Sequence, residues 1–367
     1  MSSCYVKEIS LEKYRNIKET QLTFCDGVNV ITGENGQGKT NLLESIWLLT
    51  GAKSFRGSRD KDLINIGCDF ARVNSIIEED DEKKTIDVMI ANNDTKKGRF
   101  ARYNNSEMTR AITLAGKFYC VVFCPQHLTL VSGSPAYRRK FIDGALCQLY
   151  PAYIKTFKTF EKYLEQKNSL LKNISRYSKG EGDELLEVYN TKLGAFGYEI
   201  YKKRREYIDI LSKTAAQYYN QLSAGKENIT FEYISFGKQE KDFYDFLMES
   251  ADKDKRAGFS CCGVQREDID IKINGLSAKD FASQGQQRSI VLAMKLSESD
   301  ILKKITEKEP VILLDDVLSE LDFSRQEYLL HHIDNKQVFI SSCDEERISL
   351  AKSKKYFVKN GVIRECI

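Results

Sequence analysis

Gly33-Glu34-Asn35-Gly36-Gln37-Gly38-Lys39-Thr40 has the residue types and spacing to do chemistry on its own. Glycines let a backbone curl until successive N–H groups point inward, and a helix opening at the lysine adds positive potential there. Such a cradle holds phosphates. A lysine after the last glycine reaches the β- and γ-phosphates, and the hydroxyl beside it holds Mg2+. A second stretch, Val311-Ile312-Leu313-Leu314-Asp315-Asp316, is four apolar residues ending in two carboxylates. An apolar strand places its last residues at the carboxyl edge of a sheet, where open α/β sheets bind ligands. There Asp315 is suited to hold Mg2+ through water opposite Thr40, and Asp316 to orient or deprotonate an attacking water. Phosphoryl transfer needs positioning and charge neutralisation more than covalent chemistry, so these few groups suffice. Taken singly, the two stretches could be a Gly-rich turn and a solvated strand end. Together they imply a bound nucleoside triphosphate.

The elements around them must form an α/β fold. Residues 28–32 are apolar and β-branched, a strand feeding the glycine loop, and residues 41–49 have helical spacing. Strands are expected at 5–11 and 21–24, a hairpin at 72–77 with 85–90, and a buried strand at 118–124. Ser134-Pro135 then starts a helix, with Ser as cap and Pro at the first helical position. From there to about Gln221 the pattern is helical, with a break near 179–182, and two long antiparallel helices fit it. Strand character returns at 229–236, a short helix at 241–250, and a strand within 264–273. The last part alternates again: a helix from Ser283 to about Ile305, a strand at 311–314, a helix from Asp322, a strand at 337–341 and a hairpin of 356–358 with 362–363.

Composition narrows the class. A chain of 367 residues, 41% hydrophobic and 30% charged, can bury a sizeable core divided into two lobes. No apolar run is long enough to cross a bilayer, and Met1-Ser2-Ser3-Cys4 reads into a strand without a signal-peptide pattern, so the expected location is the cytoplasm. Ten cysteines are scattered with no CxxC pair, and there are only three histidines. That favours buried free thiols in a reducing compartment over disulfides or a zinc site. Net charge is +3, but residues 136–215 carry 16 Lys/Arg against 10 Asp/Glu, while the remainder carries 40 against 43. The positive excess sits on the helical middle of the chain.

Ser283-Gln284-Gly285-Gln286-Gln287-Arg288 alone reads as a capped helix N-terminus. In company with the glycine loop and the Asp-Asp strand it resembles the signature motif of ABC-type ATPases. The resemblance implies ATP shared across a dimer. Ser283 and backbone N–H groups about Gly285 and Gln286 would face the γ-phosphate held by Gly33 to Asn41 of a second subunit. Ser319-Glu320-Leu321-Asp322 matches the D-loop that crosses the same interface. GENGQGKTNLLESI, FCPQHLTLVSGSPAYRRKFID, SQGQQRS and VILLDDVLSELD, in this order, are similar to the RecF family across essentially the whole chain.

That family implies an ABC-type P-loop ATPase head of the SMC/Rad50 kind, a mixed sheet with flanking helices and an inserted helical arm lobe. The lobes would be 1–132 and 236–367 for the ATPase, and 133–235 for the arm. It implies ATP and Mg2+ as cofactors and an ATP-dependent homodimer with weak, DNA-dependent ATPase activity. DNA would be bound as duplex and at single-strand/double-strand junctions, and RecO and RecR would be partners in loading RecA during gap repair, with links to replication, recombination and the SOS response to DNA damage.

Three features depart from the family. Gln126-His127 follow Pro125 where the family usually has an acidic pair; Gln126 is assigned as the Q-loop ligand of the metal and water. Phe55 stands where His is frequent. Ser341-Ser342-Cys343 stand where threonines are frequent, so any switch hydroxyl at that strand end must come from Ser341 or Ser342. Candidate phosphate contacts for DNA are Arg138, Arg139 and Lys140 at the arm base, Lys202, Lys203, Arg204 and Arg205 on the arm, and Arg56 and Arg59 near the nucleotide. The rival reading is the nucleotide-binding subunit of an ABC membrane transporter. The long helical insert, the Asp-Asp ending and the missing switch histidine stand against it.

Overall fold

The structure, a computed structural model, describes residues 4–343 and 353–366, so Met1-Ser2-Ser3 lies outside the described residues. Residues 1–128 and 288–367 form one compact unit, and residues 129–287 a second. The first opens with β1 (Cys4–Tyr14), β2 (Ile17–Thr23), β3 (Val28–Thr32) and α1 (Lys39–Leu48). It continues through β4 (Phe70–Glu79), β5 (Glu82–Asn92), β6 (Lys97–Tyr103), β7 (Thr109–Arg110) and β8 (Cys120–Phe123). The second unit holds α2 (Thr129–Ser132), α3 (Pro135–Leu149), α4 (Pro151–Lys172), α5 (Lys179–Leu222) and β9 (Ile229–Ile234). After them come α6 (Glu240–Glu249), α7 (Ala251–Ala257), β10 (Asp268–Ile273), β11 (Leu276–Ser277) and α8 (Ala278–Phe281). The chain returns to the first unit along α9 (Gln284–Thr306), then β12 (Val311–Asp315), α10 (Phe323–His332), β13 (Val338–Ser342), β14 (Ser353–Lys359) and β15 (Val362–Cys366).

Among the described residues, two sheets build the first unit. One has the order β15-β14-β3-β13-β12-β8, parallel except for the β14–β15 hairpin. Parallel strands are covered on both faces, so they read as unbroken apolar runs. Every residue of β8, β12 and β13 is buried. The other sheet, β2-β1-β4-β5-β6-β7, is antiparallel, and β4 alternates buried and half-buried along its length. One face packs into the core through Ala71, Val73, Val88, Ile90 and Ala101, and the other meets solvent. The expected mixed sheet with flanking helices is present.

In the second unit α4 and α5 pack through rings, with Tyr163 stacked on Phe196 at 5.9 Å and close to Tyr189. The connection at residues 173–178 is short, so the two helices run back along each other. The break therefore falls before Lys179 rather than at 179–182. Ser178, extended at φ −61° and ψ 150°, starts the helix, and Gly180 and Gly182 lie inside its first turns.

The units divide differently from the expected lobes. Residues 236–287 lie with the helical unit because β9 and β10 pair over their full lengths, from Ile229 with Ile273 to Ile234 with Asp268. All ten cysteines are free thiols, as expected, but only Cys4, Cys120, Cys124 and Cys262 are buried, and Cys343 and Cys366 are exposed. Among the described residues no helix is long and apolar enough to cross a membrane.

Candidate functional site

Parallel strands bring their carboxyl ends to one edge, and that edge carries the chemistry-bearing residues of the first unit. β3 leads into the glycine loop, β12 ends at Asp315, β13 ends at Ser342, and β8 leads to the turn Pro125–Leu128. The register places Asp315 across from Ser341, and Ser342 across from Thr32. Gln126 comes three residues after Phe123, the partner of Leu314, so it stands at the same edge and is exposed.

The loop conformation depends on its glycines. Gly33 has φ +144°, and a Cβ there would lie 2.3 Å from the Val358 carbonyl oxygen; only glycine lets the loop pass so close to β14. Gly36 and Gly38 also have positive φ. The loop is braced from outside. Asn16 donates to the Gln37 carbonyl at 2.9 Å, the Gly361 N–H donates to the same carbonyl at 3.0 Å, and the Asn360 N–H donates to Gln37 Oε1 at 2.6 Å. Asn16, Asn360 and Gly361 come from tight turns distant in sequence, and sequence reading passed over them.

Lys39 is buried, and its ammonium lies inside the loop, donating to the carbonyls of Gly33 at 2.7 Å and Glu34 at 3.0 Å. It also stands 3.1 Å from Cys343 Sγ, whose thiol is 2.8 Å from Asn35 Oδ1. Thr40 Oγ1 donates to Asp315 Oδ1 at 2.8 Å, and Ser341 Oγ donates to the same oxygen at 2.8 Å. Ser341 Oγ in turn accepts the Asp316 N–H at 3.0 Å. Ser341 therefore ties the two carboxylate residues together. Asp316 sits at φ +52°, a left-handed conformation that Asp tolerates better than most residues.

Burial is the largest influence on Asp315 and pushes its carboxyl above the ordinary aspartate value. The Thr40 and Ser341 hydroxyls and Arg56 work the other way, and Asp316 adds to the rise. A hydroxyl beside a buried, under-compensated carboxylate is an all-oxygen donor pair. It suits Mg2+, which takes one or two protein oxygens and completes its shell with water and phosphate. The residues present fit that ion.

One turn further along α1, Glu44 is fully buried and accepts from Tyr14 at 3.1 Å, from Arg15 Nε and Nη2 at 2.8 and 3.0 Å, and from Ser54. This charged cluster anchors the helix that opens the loop; the acidic residue in an apolar run was its only sequence signal. Arg56 is exposed and donates to Asn41 at 3.1 Å, and Asn41 donates to Asn16 at 2.8 Å. Arg59 is exposed, 3.8 Å from Asp62.

In the second unit Ser283 is exposed and closes a reciprocal cap. Its Oγ accepts the Gln286 N–H at 3.2 Å, while Gln286 Oε1 accepts the Ser283 N–H at 2.8 Å. Gln286 also donates to Glu227 at 2.7 Å, and Gly285 is half-buried. Ser319-Glu320-Leu321-Asp322 belongs to the first unit. Ser319 donates to the Asp316 carbonyl at 2.8 Å, and Asp322 caps α10 by accepting the Arg325 N–H at 3.0 Å.

The candidate DNA residues divide. Arg138 is buried, forked onto Asp268 at 2.6 and 2.8 Å, and caps carbonyls at the end of α2. Arg204 is buried and forked onto Asp143 at 2.8 and 2.9 Å, with a third bond of 2.7 Å to the Val264 carbonyl. Neither can meet a phosphate, and both assignments are corrected: their charges hold the second unit together. Arg139 is half-buried on the Glu267 carbonyl at 2.6 Å. Lys202, Lys203 and Arg205 reach the surface but pair with Glu199, Glu206 and Asp209 on their own helix. The run 202–205 is thus not a basic face. Lys140, Arg56 and Arg59 remain exposed.

A family model described as "RecF/RecN/SMC N terminal domain" matches residues 5–363. The chain is 39% identical over 366 residues to the DNA replication and repair protein RecF of Clostridium botulinum (strain Eklund 17B / Type B), covering 98% of this chain and 99% of that one. It is 34% identical over 374 residues to the protein of the same name from Lysinibacillus sphaericus, covering 98% and 100%. A solved structure of the recombination mediator protein RecF-ATP in the RecFOR pathway superposes with a TM-score of 0.91 at 31% identity, over all of this chain and 98% of that one. The Smc head domain derived from Pyrococcus furiosus, at TM-score 0.56 and 16% identity over 99% and 96%, shares the fold.

Proposed function

We propose, from the premise that this chain belongs to the RecF family and has its ABC-type ATPase head, that it is an ATP-dependent DNA-binding mediator of recombinational gap repair. The observation that supports this most is the joining of Thr40, Asp315 and Ser341 on one carboxylate oxygen beside the glycine loop. ATP would lie along Gly33 to Asn41, its phosphates met by the loop N–H groups and by Lys39, which swings from the Gly33 and Glu34 carbonyls onto the β- and γ-oxygens. Thr40, Asp315 and Gln126 would hold Mg2+, which when bound neutralises charge on the phosphates. Asp316 would orient and deprotonate the attacking water, with Ser341 keeping its backbone in place.

Ser283 and the N–H groups about Gly285 and Gln286 would complete the site from a second copy, so that ATP closes a homodimer. That closure would grip duplex DNA and single-strand/double-strand junctions, and RecO and RecR would act with it in loading RecA. Hydrolysis would be weak and DNA-dependent, and the location cytoplasmic. The transporter reading is set aside, since the relatives that the chain matches end to end are DNA replication and repair proteins.

ATP hydrolysis measured with and without a gapped duplex tests this. Stimulation by DNA, abolished in Lys39→Met together with nucleotide binding, is expected. A rate indifferent to DNA would overturn the reading.

A further inference from the structure

The outer face of the antiparallel sheet carries a band of cations that the nucleotide site does not use. The register sets Arg72, Met89, Phe100 and Arg110 in one row across β4, β5, β6 and β7, and Asn74, Asp87 and Arg102 in the next. Side chains directly opposite one another project to the same face. Arg72 grips Asp87 through Nε and Nη2 at 2.8 Å each, and Arg102 grips the same carboxylate at 2.8 Å. Asp87 is 5% exposed, while the two guanidinium side chains remain 43% and 42% exposed. One buried acid thus holds up two cations, each with N–H donors to spare.

Phe100 is a second pedestal. Lys96, on the turn before β6, lies 4.3 Å from its ring centroid, and Arg110 lies 4.7 Å from it. Both cations are exposed. Four positive groups thus stand on one buried carboxylate and one ring, oriented at little entropic cost to themselves. The band ends at β1, where Glu12 stands opposite Arg72.

We propose that this face docks the sugar–phosphate backbone of DNA. The inference rests on the DNA-binding reading above and gives that reading a surface. From β4 to β7 the row spans three interstrand steps, about 14 Å. That is about four nucleotide steps of one strand at 3.4 Å each. Arg72, Arg102 and Arg110 are carried on strands and Lys96 is held over Phe100 from the turn before β6, and a single amide, Asn74, stands in the same two rows. With four cations against one amide, the contact is chiefly to phosphate and carries little sequence information.

The test is fluorescence anisotropy of end-labelled single-stranded and duplex oligonucleotides over a range of salt concentration. It compares the native chain with the triple variant Lys96→Ala, Arg102→Gln, Arg110→Ala. The expected result is a loss of affinity on the order of a hundredfold at about 0.1 M salt, with the slope of log K against log salt shallower by about three. The single variant Lys96→Glu, on a turn outside the sheet, should weaken binding in the same direction without touching the fold. Native-like affinity and slope in both variants would overturn the docking face while leaving the DNA-binding reading intact. So would DNA affinity retained with loss of binding to polyglutamate, which would assign the face to an acidic protein segment. A native chain that binds neither oligonucleotide would overturn the reading itself, and this face with it.

Discussion

Asp315 is the residue on which opposing demands meet. Burial raises its pKa, so its charge is a cost in the folded protein. The sign follows from linkage. A carboxyl whose folded value lies above its unfolded value favours the fold at pH below both. That stability is lost as pH rises from the unfolded value through the folded one, and at neutral pH the full cost is present. Asp315→Asn removes the cost and still accepts from Thr40 and Ser341. The nucleotide-free variant is expected to melt at a higher temperature than the native chain at pH 7, while Mg2+-dependent ATP hydrolysis falls on the order of a hundredfold. Thermal melting and steady-state hydrolysis check the two halves. Mg2+–ATP affinity should also weaken at a higher pH on acidification than an ordinary aspartate would give, which calorimetry across the acid range reads directly. At this scale the candidate site was legible in sequence where its parts are contiguous, as in Gly33 to Thr40 and Asp315-Asp316, which the structure brings together. Arg138 and Arg204 were misread because the side of a helix that faces inward is set by acids far away in sequence, Asp268 and Asp143. Ser341 stood out only as a strand-end hydroxyl until the register put it beside Asp315.

Elements carry the constraint one level up. The glycine loop is held between α1 and the β14–β15 turn, and its three glycines are not equivalent. Gly33→Ala sets a Cβ against a backbone oxygen at positive φ and should cost about 2–4 kcal/mol in urea unfolding. Gly36→Ala meets open space and should cost only the left-handed penalty, about 1–2 kcal/mol. Equal costs would show that the close pass by β14 does not matter to the fold. The start of α9 has a similar duality. Ser283 is a helix cap, so Ser283→Ala should destabilise by about 1 kcal/mol whatever its role toward nucleotide. Helices and buried strands were readable from periodicity and capping. β6 was not, because Lys97 to Tyr103 alternates among basic residues and gains its strand identity from pairing with β5.

For the whole molecule, the division into two units departs from the expected lobes because strand pairing between β9 and β10 joins segments on either side of α6 and α7. Such non-local pairing leaves no signature in a window of sequence. The division has a functional reading. The glycine loop and Asp315 belong to the first unit, and Ser283 to the second. A trans-acting Ser283 would make nucleotide binding and dimerisation separable. Sedimentation velocity of the native chain and Ser283→Arg, with and without Mg2+–ATP, and with ATP affinity measured alongside, tests that claim most directly. The native chain is expected to pass from monomer to dimer on ATP, and Ser283→Arg to bind ATP as tightly yet sediment as a monomer. A Ser283→Arg chain that still dimerises with ATP would contradict it.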